Sequence, residues 1–551
     1  MAMTSCRSPQ PALATPAWLL PALGALLFLL LTGCLRHETA VQVGNREQSL
    51  HRGIGSDVGD LDPQLATNIA EGDIVSALFE GLVAEDPADL HPVPGVAESW
   101  EISSDRLTYT FHLRADARWS NGAPVTARDF VASWRRILTP SLGAGNADLL
   151  HLIQGAEAFH KGLSRDFSQV GVTAVDARTL RVTLEHPAPY FLSLLSNPAW
   201  LPVPLSVITA LGSPVERGNP WTRAGSLVGN GPFILKTWEP NQRLVVEKSP
   251  TYWDAAHVRL KAVYFYPIDS LDTEERAFRS GQLHLTYVLP FGKVESYRRD
   301  SPQFLRADPY FDSYFLRLNT RRPPFDDDRV RRALAQAVDR DALIGKILHG
   351  GQRAATAITP PGLPGYTPPA GLVTDFNAAR RLLAEAGFPG GRGLPTIELL
   401  YNHSENHRVL AEALQEMWRR ELGLEVRLVN QEFKVVLDER RAGHYQILLS
   451  DWVGDYLDPV TFLDLWRSDS GNNHTGWASP EYDDRLFAAA RTADPADRAR
   501  QLARAEALML AAAPVIPLYY NTHVFLCQPS VKGWLPTLLD HHPYKHVWLE
   551  E

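Results

Sequence analysis

The chain has few cysteines for its length. Only three of its 551 residues are cysteine, at positions 6, 34 and 527. Cys6 lies in a segment that we expect to be cleaved off, and Cys34 lies at a predicted modification site. Cys527 would then stand alone, so an internal disulfide is excluded for the mature chain, and the fold must be stabilised by its hydrophobic cores.

Long apolar runs are also lacking. No stretch has 18 consecutive apolar residues, although a membrane-spanning helix needs about 20. The run from Ala17 to Leu31 covers 15 residues and is interrupted by Pro21 and Gly24. Its length is typical of the apolar region of a secretory signal. A membrane anchor that stays attached is the alternative.

The end of this run has a recognisable pattern. Leu31-Thr32-Gly33-Cys34 resembles the bacterial lipobox, in which the cysteine receives lipid and becomes the mature N-terminus. We therefore expect residues 1–33 to be a lipoprotein signal peptide, Cys34 to be the lipidated residue, and residues 34–48 to be a polar tether. The only membrane contact would be through this lipid anchor.

A basic excess is absent as well. The chain has 54 Lys and Arg against 63 Asp and Glu, which gives a net charge of −9. A nucleic-acid-binding surface would need clustered basic residues, so we predict no nucleic-acid partner. The contents of 45% hydrophobic and 21% charged residues are typical of a soluble globular protein, and the length predicts two or three lobes.

Common catalytic and nucleotide-binding motifs are missing. The chain has no Walker A loop, no His-Glu-x-x-His, no Gly-x-Ser-x-Gly and no Cys-x-x-Cys. His541, His542 and His546 could form a metal cluster, but their place near the end of the chain favours a solvated tail. We predict no catalytic residue, no metal and no cofactor.

One stretch, Tyr445 to Pro459, joins a buried strand to a carboxylate-rich loop. Its unbroken aliphatic run Ile447-Leu448-Leu449 is typical of a strand covered on both faces. Asp455 then lies between Trp452 and Tyr456, and aromatic rings favour the same cations that a carboxylate binds. The alternative interpretation is a solvated aspartate beside two core aromatics.

The segments before this stretch predict a β-α-β unit, with strand Leu394–Tyr401, helix Glu405–Leu422 and strand Glu425–Val429. Strands of such sheets present their carboxyl ends to ligands, which is where Asp455 would lie. Elsewhere the patterns predict a helix from Ile74 to Leu82 and a single helix from Arg329 to Leu348.

Many short motifs of the chain follow one another in the order found in a known family. They are Asp62-Pro63, Leu78-Phe79-Glu80-Gly81-Leu82, Gly95-Val96-Ala97-Glu98-Ser99-Trp100, Trp119-Ser120-Asn121-Gly122, Asn230-Gly231-Pro232-Phe233, Tyr252-Trp253-Asp254, Phe325-Asp326-Asp327 and the Trp452-to-Pro459 segment. With these motifs, nearly the whole mature chain resembles the extracytoplasmic solute-binding proteins of peptide ABC importers (solute-binding protein family 5), and the oligopeptide-binding branch most closely.

The resemblance implies an α/β, periplasmic-binding-protein-like fold of three lobes. Lobe I would comprise residues 49–79, 205–306 and 523–551, lobe II residues 80–204, and lobe III residues 307–522. The ligand would bind in a cleft between lobes I and III, which close on it by a hinge motion.

The resemblance also implies roles for individual residues. Asp455 would take the α-ammonium of a bound peptide, and the backbone of Asp451, Trp452 and Val453 would pair with the extended ligand, as would the backbone from Thr67 to Ile69. Further pocket residues would be Arg440, Phe433 and His407. Leu449 replaces a basic residue of some oligopeptide binders, which leaves capture of the ligand's carboxylate open.

The function implied is a non-enzymatic lipoprotein, periplasmic or on the cell surface of a bacterium. It would bind oligopeptides with a free N-terminus as a monomer and deliver them to the permease and ATPase subunits of an ABC importer. Alternatives in the same fold are binders of murein peptides, nickel chelates or haem. A sensor or chaperone role and an extracellular peptide hydrolase are alternatives of other classes.

Overall fold

The computed structural model describes residues 38–492 and 494–551. In these residues the chain forms three main β-sheets with helices packed on them. The helices are α1 (Ala40–Glu47), α2 (Ile69–Leu78), α3 (Ala127–Ile137), α4 (Ala156–His160), α5 (Phe191–Leu194), α6 (Leu205–Leu211), α7 (Leu271–Arg279), α8 (Phe291–Asp300), α9 (Asp328–Gln336), α10 (Arg340–Leu343), α11 (Phe376–Glu385), α12 (Glu405–Leu422), α13 (Phe433–Ala442), α14 (Val460–Leu463), α15 (Pro480–Arg491) and α16 (Pro495–Ala512).

The strands belong to these three sheets and to two short two-stranded ones. They are β1 (Ser49–Gly53), β2 (Val83–Glu85), β3 (Pro92–Pro94), β4 (Ala97–Ile102), β5 (Thr108–Leu113), β6 (Val172–Ala174), β7 (Thr179–Thr183), β8 (Phe233–Glu239), β9 (Arg243–Lys248), β10 (Ala262–Tyr266), β11 (Leu305–Leu318), β12 (Arg353–Ala354), β13 (Ile397–Asn402), β14 (Val426–Gln431), β15 (Ile447–Val453), β16 (Val515–Leu526), β17 (Val531–Lys532) and β18 (Trp548–Leu549).

The first two sheets share one hydrophobic core. The sheet β1-β10-β9-β8 lies within the segments predicted as lobe I, and the antiparallel sheet β4-β5-β7-β6 within lobe II. In β5 the side chains of Tyr109, Phe111 and Leu113 are buried and alternate with less buried neighbours, as half-buried strands require. Because a single cluster of buried side chains spans both sheets, lobes I and II form one body.

A buried ion pair locks these two lobes together. Asp62 follows β1, and Arg136 lies on α3 of lobe II. Arg136 Nη1 and Nη2 donate to the two carboxylate oxygens of Asp62 at 3.1 and 2.6 Å, and both side chains are buried. Trp221 Nε1 also points at this carboxylate, 3.4 Å from Oδ2.

The third sheet has the order β12-β16-β11-β15-β13-β14 and belongs to lobe III. Strands β13 and β14 are parallel and are joined by α12, which confirms the predicted β-α-β unit. Strand β15 pairs antiparallel with β11 over its whole length. Its pairing with β13 is parallel and short, since it involves only Ile447 and Leu448.

Two long strands, β11 and β16, pair with each other across the predicted boundary between lobes I and III. Their antiparallel register is interrupted between Pro309 and Ser313. An irregular register bends and twists a strand pair locally. Lobe III would hinge against lobes I and II at this interruption.

Some predictions of local structure are wrong. The segment predicted as a polar tether contains α1, which begins with a capping box between Thr39 and Gln42 and buries Val41 against lobe I. Composition hid this helix because only one narrow face of it is apolar. The helix predicted at Ile74 is α2, which begins at Ile69 after the N-cap Asn68.

The long helix predicted from Arg329 is also broken in the structure. Helix α9 ends at Gln336, and Asp339 caps the separate helix α10. The lobe boundaries stay predictions, and the signal peptide and Cys34 lie outside the described residues. Cys527 is buried and free. None of the helices in the described part of the chain is both long and apolar enough to cross a membrane.

Candidate functional site

A strand edge without a partner lies at the centre of the third sheet. Strand β15 extends to Val453, but β13 pairs with it only as far as Leu448. In the described part of the chain, no strand pairs with the other edge of β15 beyond that point. An exposed strand edge of this kind can add an extended peptide by main-chain hydrogen bonds.

The direction of the hydrogen bonds shows which peptide groups face this edge. The N–H of Gly454 donates to the carbonyl of Phe311 on β11 at 2.8 Å. Because the main-chain groups of a strand alternate between its two edges, those of Trp452 also face β11. The groups of Asp451 and Val453 therefore face the free edge. Of the three predicted backbone contacts, these two lie where a ligand can reach them, and that of Trp452 does not.

Trp452 contributes packing instead. Its ring is half-buried against the core cluster that contains Phe315 and Trp466, on one face of the sheet. Its indole Nε1 is buried without a hydrogen-bond partner among the described residues.

Asp455 follows this strand and lacks a cationic partner. Its N–H donates to Thr461 Oγ1 at 2.9 Å, and the Thr461 hydroxyl lies 3.3 Å from Asp455 Oδ2. Among the described residues no Lys, Arg or His forms an ion pair with its carboxylate. Burial raises the pKa of Asp455 to about 6, against the weaker effect of the Thr461 hydrogen bond. The ionised carboxylate is therefore destabilised by burial and has no cationic partner among the described residues.

Residues of the other lobes approach the same carboxylate. Asp148 of lobe II raises the pKa of Asp455 by charge repulsion, whereas His541 from the C-terminal segment lowers it. Asn146 of lobe II donates to the carbonyl of Ala66 in lobe I at 3.2 Å. The loop from 146 to 148 thus connects the lobe I segment to the pocket of Asp455.

The predicted lobe I contacts lie in that segment. Thr67 and Ile69 are both exposed. The N–H of Thr67 already donates to Glu71 Oε2 at 2.9 Å, so it is not free for a ligand. Ile69 is the first residue of α2, where N–H groups have no partner within the helix.

Lobes II and III touch beside Asp455. The rings of Tyr190 and Tyr456 stack with centroids 4.5 Å apart at an angle of 13°. Next to them Arg498 donates to both carboxylate oxygens of Asp458, at 2.8 and 2.9 Å. The ring stack joins lobe II to lobe III in a closed arrangement, whereas the ion pair lies within lobe III.

A basic group lies on the face of the sheet that carries Trp452. Arg317 is fully buried on β11, where its Nε donates to Ser450 Oγ at 3.2 Å and its guanidinium lies 4.8 Å from the centre of the Trp466 ring. Arg440 lies close enough to lower the pKa of Arg317, and both arginines contribute to lowering the pKa of His474. Burial, with Arg440 second, lowers the pKa of Arg317 to about 9.

Neither arginine is neutralised. Among the described residues, no carboxylate lies within ion-pair distance of Arg317 or Arg440, and Arg440 Nε is buried without a hydrogen-bond partner. Arg440 is one of the predicted pocket residues, whereas Arg317 lies on a strand more than 100 residues earlier in the chain and no local pattern singles it out. Arg317 is opposite Leu448 in the β11–β15 register, so its side chain points to the opposite face of the sheet from Leu449.

The other predicted pocket residues have different surroundings. His407 lies on α12, its Nδ1 2.7 Å from Asn402 Oδ1 and its Nε2 3.3 Å from the Tyr314 hydroxyl. Burial lowers its pKa to about 4, so it is neutral near pH 7. Phe433 begins α13 and is half-exposed.

The three C-terminal histidines do not form a solvated tail, which corrects that prediction. The side chain of His542 is buried with Nε2 2.9 Å from Asp540 Oδ1, and His541 Nδ1 lies 2.9 Å from Glu85 of lobe II. Glu85 raises the pKa of His541 to about 9, against the effect of burial. Charge pairing with lobe II therefore anchors this segment, which composition could not reveal.

Comparison with known proteins identifies relatives over most of the chain. Residues 91–474 match the family of bacterial extracellular solute-binding proteins, family 5. The periplasmic oligopeptide-binding protein OppA of Escherichia coli is 38% identical over 89% of this chain and 90% of its own length.

Solved structures extend the comparison to the arrangement of the lobes. Haemophilus influenzae OppA in complex with the peptide RPPGFSPFR superposes with a TM-score of 0.85 at 31% identity, covering 92% of this chain and 99% of that one. The murein tripeptide-binding protein MppA in its unliganded open form gives 0.67 at 34% identity, covering 91% and 97%. The lobes here are therefore arranged more like the peptide complex than like the open form.

Proposed function

Because the chain belongs to the bacterial extracellular solute-binding proteins of family 5, we propose that it captures oligopeptides between lobes I and III and delivers them to an ABC importer. The observation that carries this proposal is the free edge of β15 followed by the unpaired carboxylate of Asp455. An extended peptide added to this edge would pair with the main chain of Asp451 and Val453. Its α-ammonium would pair with Asp455.

This arrangement recognises features that all peptides share. Main-chain hydrogen bonds are independent of side-chain identity, and every unmodified peptide has an ammonium group at its N-terminus. Ile69 at the start of α2 would add a contact from lobe I, so that a bound peptide holds the lobes together. Closure around the ligand is the signal that a permease can read.

The far end of a peptide carries a carboxylate, and the unneutralised Arg440 and Arg317 suit it. An arginine binds a carboxylate through two parallel hydrogen bonds where the geometry allows. His407, being neutral, would act as a hydrogen-bonding wall residue and not as a charge.

The cellular setting follows from the same proposal. The chain would be tethered by lipid at Cys34, periplasmic or on the cell surface, and would act as a monomer. ATP hydrolysis and translocation would belong to separate permease and ATPase subunits. The chain itself would leave the peptide intact.

The central test compares peptides with free and acetylated N-termini by isothermal titration calorimetry. We expect acetylation, and separately Asp455→Asn, to weaken binding by about 2–5 kcal/mol, because each leaves one buried charge without its partner. Asp326→Asn is the matched control, since it removes an equal charge from an exposed position of lobe III.

A free peptide and its acetylated form binding equally would contradict the pairing of the ammonium with Asp455. Mass spectrometry of ligands released from the purified protein gives an independent test. Mixed peptides of similar length support the proposal, whereas a single metal chelate, haem or bile acid would refute the assigned substrate.

A further inference from the structure

We propose that Asp312 and Asp451 form a second cation site in the cleft, which takes the positively charged side chain of a bound peptide. The inference rests on the proposed peptide binding and adds a preference for one class of side chain. The site would make the cleft prefer one class of side chain at one ligand position, whereas the ammonium and main-chain contacts are common to all peptides.

The two carboxylates lie on neighbouring strands and on the same face of the sheet. Asp312 on β11 is opposite Val453, and Tyr314 is opposite Asp451. Residues directly opposite one another share a face, and so do residues two apart on a strand. Asp312 and Asp451 are therefore diagonal neighbours, about 7–8 Å apart.

Asp312 is buried and incompletely satisfied. Its side chain is 1% exposed, and Asn521 Nδ2 donates to Oδ2 at 2.9 Å. Its Oδ1 is buried and has no hydrogen-bond partner among the described residues. A buried carboxylate oxygen without a donor is costly, so a cation or a proton must complete the site. Burial and the charge of Asp451 together raise the pKa of Asp312 well above its usual range.

Asp451 provides the entrance to this site. Its side chain is accessible, yet the surrounding protein limits its hydration and raises its pKa. Its carboxylate is therefore open to a ligand that lies beside the strand. Its main chain faces the free edge of β15, so a ligand strand would pass directly beside it.

Aromatic rings complete the pocket. Tyr314 and Tyr519 are on the same face and stack with centroids 4.7 Å apart at 11°. The charges of Asp451 and Asp312 contribute to raising the pKa of both phenols, which places both rings beside the carboxylates. Aromatic faces next to carboxylates attract ammonium and guanidinium groups.

The protein's own arginines do not fill this site. Arg317 is an odd-numbered residue of β11 and points to the opposite face from Asp312 and Tyr314. Arg440 lowers the pKa of Asp451 from a distance, but neither arginine forms an ion pair with Asp451 or Asp312 within the described residues. The sheet thus separates an acidic face from a basic one.

A peptide strand would meet both faces in turn. Side chains of an extended peptide alternate, so neighbouring ligand positions point to opposite faces. Asp451 precedes Asp455 by four residues, or ~13 Å along a strand. With the ammonium at Asp455, the side chain that reaches Asp451 belongs to position two, three or four of the ligand.

The experiment is a position scan with uncharged and charged side chains of equal length. Alanine pentapeptides with a free N-terminus carry either lysine or its uncharged analogue norleucine at position two, three or four, and their dissociation constants are measured by calorimetry at pH 7.5. We expect lysine to bind at least ~10-fold tighter than norleucine at one of these positions, and no such preference at the position next to it.

Variants assign the preference to the pair. Asp451→Asn should reduce the preference for lysine to less than ~3-fold while norleucine peptides still bind. Asp312→Asn should act in the same direction, and its thermal unfolding shows whether the buried substitution is tolerated. Asp326→Asn should retain the preference.

Three results would overturn the proposal. Equal binding of lysine and norleucine at every position would mean that the two carboxylates share a proton and take no ligand charge, and the proposed peptide binding would stand. A lysine preference that survives Asp451→Asn would place the cation elsewhere. Failure of every peptide to bind would refute both the proposed function and the second cation site.

Discussion

Two aspartates with opposite surroundings show how this molecule divides its charges. Asp62, at the junction of lobes I and II, receives two hydrogen bonds from Arg136 and a further contact from Trp221. Among the described residues, the carboxylate of Asp455 at the end of β15 has only the Thr461 hydroxyl as a hydrogen-bond partner, 3.3 Å from Oδ2. The charge of Asp62 is paired within the fold, whereas the charge of Asp455 would be paired only by a ligand.

The difference extends beyond these two residues. Within the segments predicted as lobe I, Arg52 pairs with Asp73 at 3.0 Å and donates to the Tyr544 hydroxyl at 2.6 Å. At the β15 edge, by contrast, Asp451, Arg317 and Arg440 lack ion-pair partners within the described residues. Buried arginines elsewhere, such as Arg340, also lack an ion pair among the described residues, so it is the free strand edge beside these charges that distinguishes the proposed cleft.

The largest effect on stability should come from breaking the ion pair between Asp62 and Arg136. We expect Asp62→Ala to reduce the free energy of unfolding by about 3–5 kcal/mol, because it leaves the buried guanidinium of Arg136 uncompensated. Chemical denaturation measures the change. The matched control is Glu398→Ala, whose partner Arg427 is exposed, so that little stability depends on the pair. Equal effects of the two substitutions would show that the Asp62 pair is not a structural lock.

Removing the charge of Asp455 should instead raise the free energy of unfolding. Its pKa is raised from 3.8 to about 6, so its ionised form is destabilised in the folded protein. The cost is complete above about pH 6 and absent below the unfolded pKa of 3.8. We expect Asp455→Asn to stabilise the ligand-free protein by about 1–3 kcal/mol at pH 7.5 and to have little effect near pH 3.5.

Thermal or chemical unfolding of ligand-free protein at the two pH values measures this change. Removal of bound peptides beforehand is essential, since a ligand stabilises the folded state by mass action. A loss of stability at pH 7.5 would mean that Asp455 already has a partner in the protein, and the contrast with Asp62 would disappear.

Peptide affinity should depend on pH through the same carboxylate. Protonation of Asp455 below about pH 6 removes the charge that pairs with the ammonium. We expect the affinity for an alanine peptide to fall by up to ~10-fold per pH unit below pH 6, and to fall again above about pH 8 as the α-amine loses its proton. In Asp455→Asn the part of the acidic decline that comes from Asp455 should be absent. Asp148 and His541 face the same pocket, so the decline in the wild type is the sum of their effects and that of Asp455.

Sequence reasoning found the strand and carboxylate of this site because their signal is local. The apolar run before Asp455 and the β-α-β unit beside it are consecutive in the chain, and a period of two or 3.6 residues reveals such elements. Asp455 itself was identified by resemblance and by its aromatic neighbours. Its lack of a partner could not be foreseen, since that depends on what other lobes place nearby.

The missed residues depend on register. Asp312, Arg317 and Asp148 come from segments more than 100 residues away from β15 along the chain. They join the site only because β11 pairs with β15 in one specific alignment and because lobe II closes over the loop. A shift of one residue in that alignment would exchange the acidic and basic faces. No pattern within either strand fixes which residue stands opposite which.

The smallest effect on peptide binding should come from removing the contact between lobe II and lobe III. Tyr190 of lobe II stacks on Tyr456 of lobe III, and this ring pair exists only while the lobes are closed. We expect Tyr190→Leu to weaken peptide binding by about 0.5–1.5 kcal/mol, the worth of an aromatic pair beyond its buried area. Because the substitution leaves the carboxylate of Asp455 in place, the preference for a free N-terminus should be unchanged. Small-angle X-ray scattering with saturating peptide should show the same closed dimensions as the wild type, and a peptide-bound protein that stays open would mean that the stack, and not the ligand's charges, holds the lobes together.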